Sequence, residues 1–233
     1  MSELLPEVTL RPRGVRRFHS GHPWIFRDDV QEVGTAEAGD IVRVRGAGGV
    51  TLGFATYSSR SKITLRLVTG ARAIPDRQFW SDTLERAIEH RNRIVSDTTA
   101  YRVLFGESDG TPGLVADRYG DHLVVQCMTA GAEKILDSLL PNVQAMLGIE
   151  SVLARNDSAV RTLEGLPRET HQLVGRTPRA IEVHEGEIVY RVDPWKGQKT
   201  GAFLDQRENR VRVGGLARGR VLDAFCYQGC FAL

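Results

Sequence analysis

The stretch VLDAFCYQGCFAL, Val221 to Leu233, decides how this chain is read. An apolar run ends in an acid, Asp223, and rings then surround a single glycine, Gly229. That order predicts a strand feeding a tight turn and a helix. Many nucleotide-type cofactor sites open in this way, with the ligand at the carboxyl end of the first strand. A nicotinamide or flavin site needs G-x-G-x-x-G, because its glycines let the backbone approach a pyrophosphate. Here only Gly229 lies in the turn, and Cys226, Tyr227, Gln228 and Cys230 fill the other places. A pyrophosphate cradle is disfavoured.

S-adenosylmethionine (SAM) makes a different demand, since it carries no phosphate. One glycine for close approach can suffice. Asp223 can meet the cationic amino group of the methionine end, and Phe225, Tyr227 and Phe231 can supply apolar walls. The segment just upstream, QKTGAFLDQRENR, packs Lys199, Asp205, Gln206, Arg207, Glu208, Asn209 and Arg210 around apolar Phe203 and Leu204. Taken from the residues alone, it reads as a capped amphipathic helix with a charged outer face. Asp205 to Val213 is the helical part and Gly214-Gly215 its stop.

The rest of the chain divides by periodicity. The first seventy residues hold short alternating runs between glycines. In DIVRVRG, Val42 and Val44 point one way and Arg43 and Arg45 the other; in KITLRLVTG, Ile63, Leu65 and Leu67 share a face. TLGFATYS between them is a third strand. This density of period-two runs predicts a small sheet or barrel with its arginines on the wet side. Past Ile74 the period changes. Leu84, Ala87, Ile88, Arg91 and Val95 form a helical stripe after an N-cap at Asp76. DGTPG and YGD are turns, and LVVQCM is a buried strand. AEKILDSLLPNVQAMLG is an amphipathic helix that Pro141 should bend or split. SVLARND is a strand, and IEVHEGEIVYRV is a hairpin turning at Glu185-Gly186.

Composition excludes several classes. The chain has 233 residues, 41% hydrophobic and 26% charged, as expected of globular proteins, and the length suits one large or two smaller domains. No apolar run reaches the ~20 residues of a membrane span, and the N-terminus lacks the order of a secretory signal. A cytoplasmic location is the expectation. Three cysteines (Cys127, Cys226, Cys230) make no disulfide framework, and no metal site is expected of Cys226 and Cys230. Residues 1–72 hold eleven Arg/Lys against seven Asp/Glu, a net of +4, whereas the remainder has twenty against twenty-two, a net of −2. A basic head on a near-neutral body suits a polyanion partner. Arg11, Arg13, Arg16 and Arg17 cluster before His19, Gly21, His22, Pro23, Trp24 and Phe26. Arginines supply phosphate affinity, and rings and guanidinium planes stack on unpaired bases. Trp24 and Phe26 read first as core of the small barrel, which leaves the arginines as the better candidates for RNA contact.

Four motifs in order carry a resemblance. GQKTGAFLDQRENR with VLDAFCYQGCFAL is similar to a family of SAM-dependent 23S ribosomal RNA cytosine-5 methyltransferases. GESDGTPGLVADRYGDHLVVQ resembles the central-domain signature of that family, and RRFHSGHPWIF the entry of its N-terminal PUA domain, an RNA-binding module. The resemblance implies an α+β multidomain chain: a PUA-like β-barrel over 1–72, a central α+β domain over 73–180, and over 181–233 a β-hairpin and the beginning of a Rossmann-like methyltransferase domain. It implies SAM as cofactor, held by Lys199, Thr200, Phe203, Asp205, Gln206, Arg207, Asp223, Phe225, Tyr227 and Gly229. It implies large-subunit ribosomal RNA as partner, held by Arg11, Arg13, Arg16, Arg17, His19 and His22. The attacking cysteine of the family lies downstream, in a Thr-Phe-Ser-Cys type motif, so no catalytic residue is expected before Leu233. The chain thus reads as an N-terminal fragment, and its exposed apolar end (Val221, Leu222, Phe225, Phe231) would favour self-association, a homodimer being one form. The alternatives are an RNA-binding module without catalysis, or a methyltransferase for another RNA base.

Overall fold

A computed structural model describes residues 5–70 and 73–233. Its first sheet contains β1 (Glu7–Leu10), β2 (Trp24–Phe26), β3 (Val30–Glu32), β4 (Ile41–Arg45), β5 (Thr51–Tyr57) and β6 (Ile63–Thr69), in the order β2-β6-β5-β4-β1-β3. β1 runs parallel to β4, and the other pairs are antiparallel. The alternation works as expected in β4, where Val42 and Val44 are sealed with Val8, Leu10, Ile25, Ala55 and Leu65. Each of the valine, leucine and isoleucine side chains stabilises the sheet by about 1.5–3 kcal/mol. Not every arginine is on the wet side. Arg66 of β6 is buried and donates to Glu164 at 2.8 Å, because a second unit covers that part of the sheet.

The basic run RPRGVRRF, read from sequence as a phosphate-binding stretch, forms a helix, α1 (Pro12–His19), with proline at its start and Arg16, Arg17 and His19 in its last turn. Both placements suit a helix: Pro12 lacks only an N–H that would be unpaired anyway, and cations favour the carbonyl end. Val15 and Phe18 pack on the sheet, and Asp29 is fully buried beneath the helix as acceptor for Arg13 and Arg17.

The second sheet contains β7 (Ala100–Phe105), β8 (Leu114–Tyr119), β9 (His122–Cys127), β10 (Ser151–Asn156) and β11 (Glu169–Val174), in the order β11-β10-β9-β8-β7. Helices α2 (Arg77–Ile94) and α3 (Ala130–Leu147) cover one face. Asp76 caps α2 by accepting from the Phe79 N–H at 2.9 Å, as its spacing predicts. α3 is the crossover between the parallel strands β9 and β10, and it runs through Pro141 without splitting. The proline is on the exposed side, so the missing hydrogen bond and the ring are accommodated toward water. A short helix, α4 (Val160–Glu164), precedes β11.

The hairpin β12 (Ile181–Glu185) and β13 (Ile188–Val192) covers the opposite face of this sheet. Val183, Tyr190 and Val192 pack there on Ala100, Tyr119, Val124 and Leu153. Its turn is Gly186-Glu187, one residue later than expected, with Gly186 in the left-handed region at φ 59°. β9 is therefore buried on both faces, which explains its unbroken LVV.

The last segment departs most from expectation. α5 (Arg207–Leu216) passes through Gly214 and Gly215, which do not stop it. Beyond Ala217 no strand or helix forms among the described residues, so the strand at Val221–Asp223 and the helix after it are absent. Val221 and Leu222 are exposed and no strand lies beside them. A ladder needs a neighbour for its N–H and C=O groups, and an apolar run alone does not supply one.

Candidate functional site

A cleft of about 900 Å³ lies between the 198–210 segment and the 223–231 tail. Tyr190, Phe203, Gln206 and Arg210 form one side, and Asp223, Tyr227, Cys230 and Phe231 the other. The Tyr227 hydroxyl accepts from the Gln198 N–H at 2.8 Å, and its ring meets Phe203 edge-on at 5.6 Å, which ties tail to wall. Asp223 carries the unmatched group: its Oδ2 is buried without any hydrogen-bond partner. A buried carboxylate oxygen lacking a donor costs free energy until something satisfies it. Lys199, Phe225 and Tyr227 adopt left-handed backbone (φ 56°, 62° and 51°), an arrangement that bulky residues take only under constraint.

Arg210 is the residue sequence reasoning passed over. It reaches from α5 into the cleft, donating bidentately to Glu185 at 2.7 and 2.6 Å and to the Phe203 carbonyl at 3.1 Å. Burial opposes its charge, but the Glu185 carboxylate outweighs that and raises its pKa. Tyr190 donates to the same carboxylate at 3.1 Å, and burial followed by the Glu185 charge pushes its hydroxyl pKa up. The only sequence signal of Arg210 was membership of the QRENR cluster, where nothing marks which charge turns inward.

The ten residues expected to hold the cofactor separate into groups. Phe203, Gln206, Asp223 and Tyr227 line the cleft; Phe225 edges it with its ring wholly in solvent. Thr200 does not reach it. It is fully buried, donates to Asp117 Oδ2 at 2.6 Å, and meets the Tyr119 hydroxyl at 2.9 Å, which also accepts from the Ala202 N–H. Thr200 thus pins the 199–203 segment to the central sheet. Lys199 pairs with Asp205 at 2.7 Å, which holds the Asp205 pKa below the usual carboxylate value, and it lies over Phe203 at 4.4 Å. Asp205 and Arg207 face a second, smaller cleft. Gly229 takes φ 74° in its turn, yet a Cβ there would meet open space, so the turn and not ligand approach requires it.

The six residues expected at RNA are clustered on and beside α1, but four are occupied. Arg13 and Arg17 bind Asp29, whose pKa they lower against the cost of burial, and Arg11 Nε donates to the Val30 carbonyl at 2.9 Å. His22 Nδ1 accepts from the Trp24 N–H at 3.0 Å. His19 is exposed. Arg16 is exposed and, among the described residues, its guanidinium has no partner. Trp24 donates from Nε1 to Glu107 at 2.7 Å, joining the first sheet to the second unit.

Neither Cys127 nor Cys230 is activated. Burial pushes the Cys127 thiol up to about 12, and burial also raises Cys230. Among the described residues no group of His, Cys, Asp or Glu could hold a metal ion, and no helix is long and apolar enough to cross a membrane.

Residues 8–70 match a family model described as a PUA-like domain. Curated relatives include the ribosomal RNA large subunit methyltransferase I of Shewanella denitrificans, 36% identical over 97% of this chain and 59% of the relative. The protein of the same description from Alteromonas mediterranea is 36% identical over 97% of this chain and 58% of the relative. The chain therefore spans about three fifths of their length. A candidate SAM-dependent methyltransferase from Streptococcus mutans superposes with TM-score 0.78 at 22% identity, over 97% of this chain and 59% of that one. A candidate methyltransferase in complex with SAH superposes with TM-score 0.80 at 21% identity, over 97% and 58%. At these identities the likeness is one of fold: a PUA-like unit followed by the sheet-rich α+β architecture of those methyltransferases.

Proposed function

We propose that this chain supplies the RNA-holding unit and one wall of the SAM site of a ribosomal RNA large-subunit methyltransferase that acts on cytosine C5. The orphaned Oδ2 of Asp223 carries the reading. Asp223 lines a cleft walled by rings, and its carboxylate, one oxygen of which lacks a donor, suits the cationic amino group of SAM, while Phe203 and Tyr227 offer apolar faces and Gln206 an amide. When bound, SAM supplies an electrophilic methyl group on a sulfonium. Arg210, held by Glu185, fixes the α5 side of the cleft. The relatives named as ribosomal RNA methyltransferases support the activity, and the PUA-like match supports RNA as the partner. Arg16 is the residue of α1 free to meet a phosphate, with His19 beside it.

We assign no nucleophile among the three cysteines. Cys127 is sealed in the core, while Cys226 and Cys230 line the cofactor cleft, where a thiol would face the methyl donor and not the target base.

Calorimetric titration with SAM tests the reading. The chain should bind SAM, and Asp223→Asn should weaken binding roughly tenfold or more, since a hydrogen bond to a charged group contributes about 1.5–3 kcal/mol. Equal affinity of the two proteins would remove Asp223 from the site. Absence of SAM heat together with salt-sensitive RNA binding would leave the non-catalytic RNA-binding reading in its place.

A further inference from the structure

The smaller cleft, about 310 Å³, shares the Leu204–Glu208 segment with the SAM cleft as a common wall. Its far side is β7, the edge strand of the central sheet. Edge strands invite further pairing, but this one is already satisfied. Arg91 Nε donates to the Arg102 carbonyl at 3.1 Å, the Phe105 N–H donates to Asp109 at 2.6 Å, and Arg91 holds Asp109 bidentately. Strand addition is therefore a poor use of this edge. What β7 leaves open is side chains. Phe105 is 52% exposed, and the Arg102 guanidinium lies 5.0 Å from its ring centroid. Arg102 is fixed there by Asp117 at 2.8 and 2.9 Å. Tyr101 lines the same cleft, and Arg207 closes it from α5, held only loosely by the Ser96 carbonyl at 3.5 Å and Glu208 at 3.7 Å.

We infer that the Phe105 cleft binds an unpaired nucleobase of the RNA strand, stacked on the Phe105 ring, with Arg207 available to the adjoining phosphate. An exposed ring beside a fixed guanidinium plane is the chemistry that stacks on any base face and tolerates any sequence. Of the charges that line the cleft, Arg91 is paired with Asp109, Arg102 with Asp117 and Asp205 with Lys199, which leaves Arg207, only loosely held by Glu208, as the cation able to turn to a phosphate. Arg102 also ties this cleft to the other one: Asp117, which holds it, accepts from Thr200, and Thr200 positions the wall that both clefts share. The inference rests on the RNA reading above, and it adds a second point of contact, remote from α1, that would hold the strand beside the methyl donor.

The test compares a short single-stranded oligoribonucleotide of mixed sequence with an abasic strand of the same length, by fluorescence anisotropy at fixed salt. Phe105→Ala should weaken the base-bearing strand roughly tenfold, the scale of one base–aromatic stack, and leave the abasic strand unchanged. Phe105→Trp should restore binding. Arg16→Ala should weaken both strands alike, because it removes a phosphate contact. The half-exposed Phe105 side chain can be replaced without emptying the core, and unchanged circular dichroism would verify the fold. Salt-sensitive binding of both strands that Phe105→Ala leaves intact would overturn this inference and spare the RNA reading. Failure of the unaltered chain to bind either strand would overturn both. A self-associated chain that Phe105→Ala converts to monomer would assign the ring to a second copy and overturn it as well.

Discussion

At the scale of single residues, local motifs say which chemistry is present but not which way each group turns. Thr200 sits inside a run that resembles a cofactor motif, and its hydroxyl nevertheless points away from the cleft, between Asp117 and Tyr119. Thr200→Val keeps the shape and deletes the hydroxyl, leaving Asp117 short of a donor and Tyr119 of an acceptor in a dry site. The expected cost is about 1–3 kcal/mol, read as a lower urea midpoint, with only a small loss of SAM affinity through the loosened wall. The reverse pattern, intact stability and lost affinity, would put the hydroxyl in the cleft. Asp223 is the converse case: the acid after an apolar run was visible in the sequence, whereas the lack of a donor for its buried oxygen is visible only in the fold. Arg210 and Tyr190 were not legible as site residues, because their inward turn depends on Glu185, which lies on another element. Arg13 and Arg17 were legible as cations, but the buried Asp29 that occupies them was not.

Elements with short-range signals were legible. The Asp76 cap and the stripe from Leu84 to Arg91 define α2, and the alternation of Val42 and Val44 defines β4. Elements that depend on neighbours were less so. The run at Val221 has strand composition and no ladder, whereas α1 hid behind arginines whose helix shows only when Val15 and Phe18 meet the sheet. Pro141 falls between these cases. The local rule says break, but the buried residues Leu136, Leu139, Val143 and Leu147 hold both halves of α3 on one face of the central sheet. Burial at about 1.5–3 kcal/mol per side chain outweighs the roughly 3 kcal/mol that an interior proline costs. Pro141→Ala should restore the N–H and remove the ring, while also loosening the unfolded chain. The net expectation is about 1–2 kcal/mol of added stability, measured by thermal or urea unfolding. A loss of stability would mean that the proline fits a bend the packing requires.

Over the whole molecule, the PUA-like sheet is joined to the central unit by close and polar contacts that composition gave no means of foreseeing. Gly131, at the start of α3, lies so near Thr56 of β5 that a Cβ would approach the Thr56 Cβ to 2.5 Å. Lys134 reaches Asp40 at 2.6 Å, and Trp24 reaches Glu107. Deepest of these is Glu164 of α4, which accepts from Arg66 of β6 and from the Ser58 hydroxyl in a buried site. Such a pair is not necessarily worth more than apolar packing, but it is costly to break from one side. Glu164→Ala strands a buried guanidinium and should cost about 3–5 kcal/mol. The double change Arg66→Met with Glu164→Leu should recover much of that loss, because no charge is left unpaired. Hydrogen exchange locates the effect: Glu164→Ala should speed exchange in β5 and β6 while the amides of α3 and β9 keep their protection. If the single and double variants are equally stable, the two units do not communicate through this pair. The distance between the α1 arginines and the cleft proposed for SAM would then be set by the Gly131 and Trp24 contacts instead.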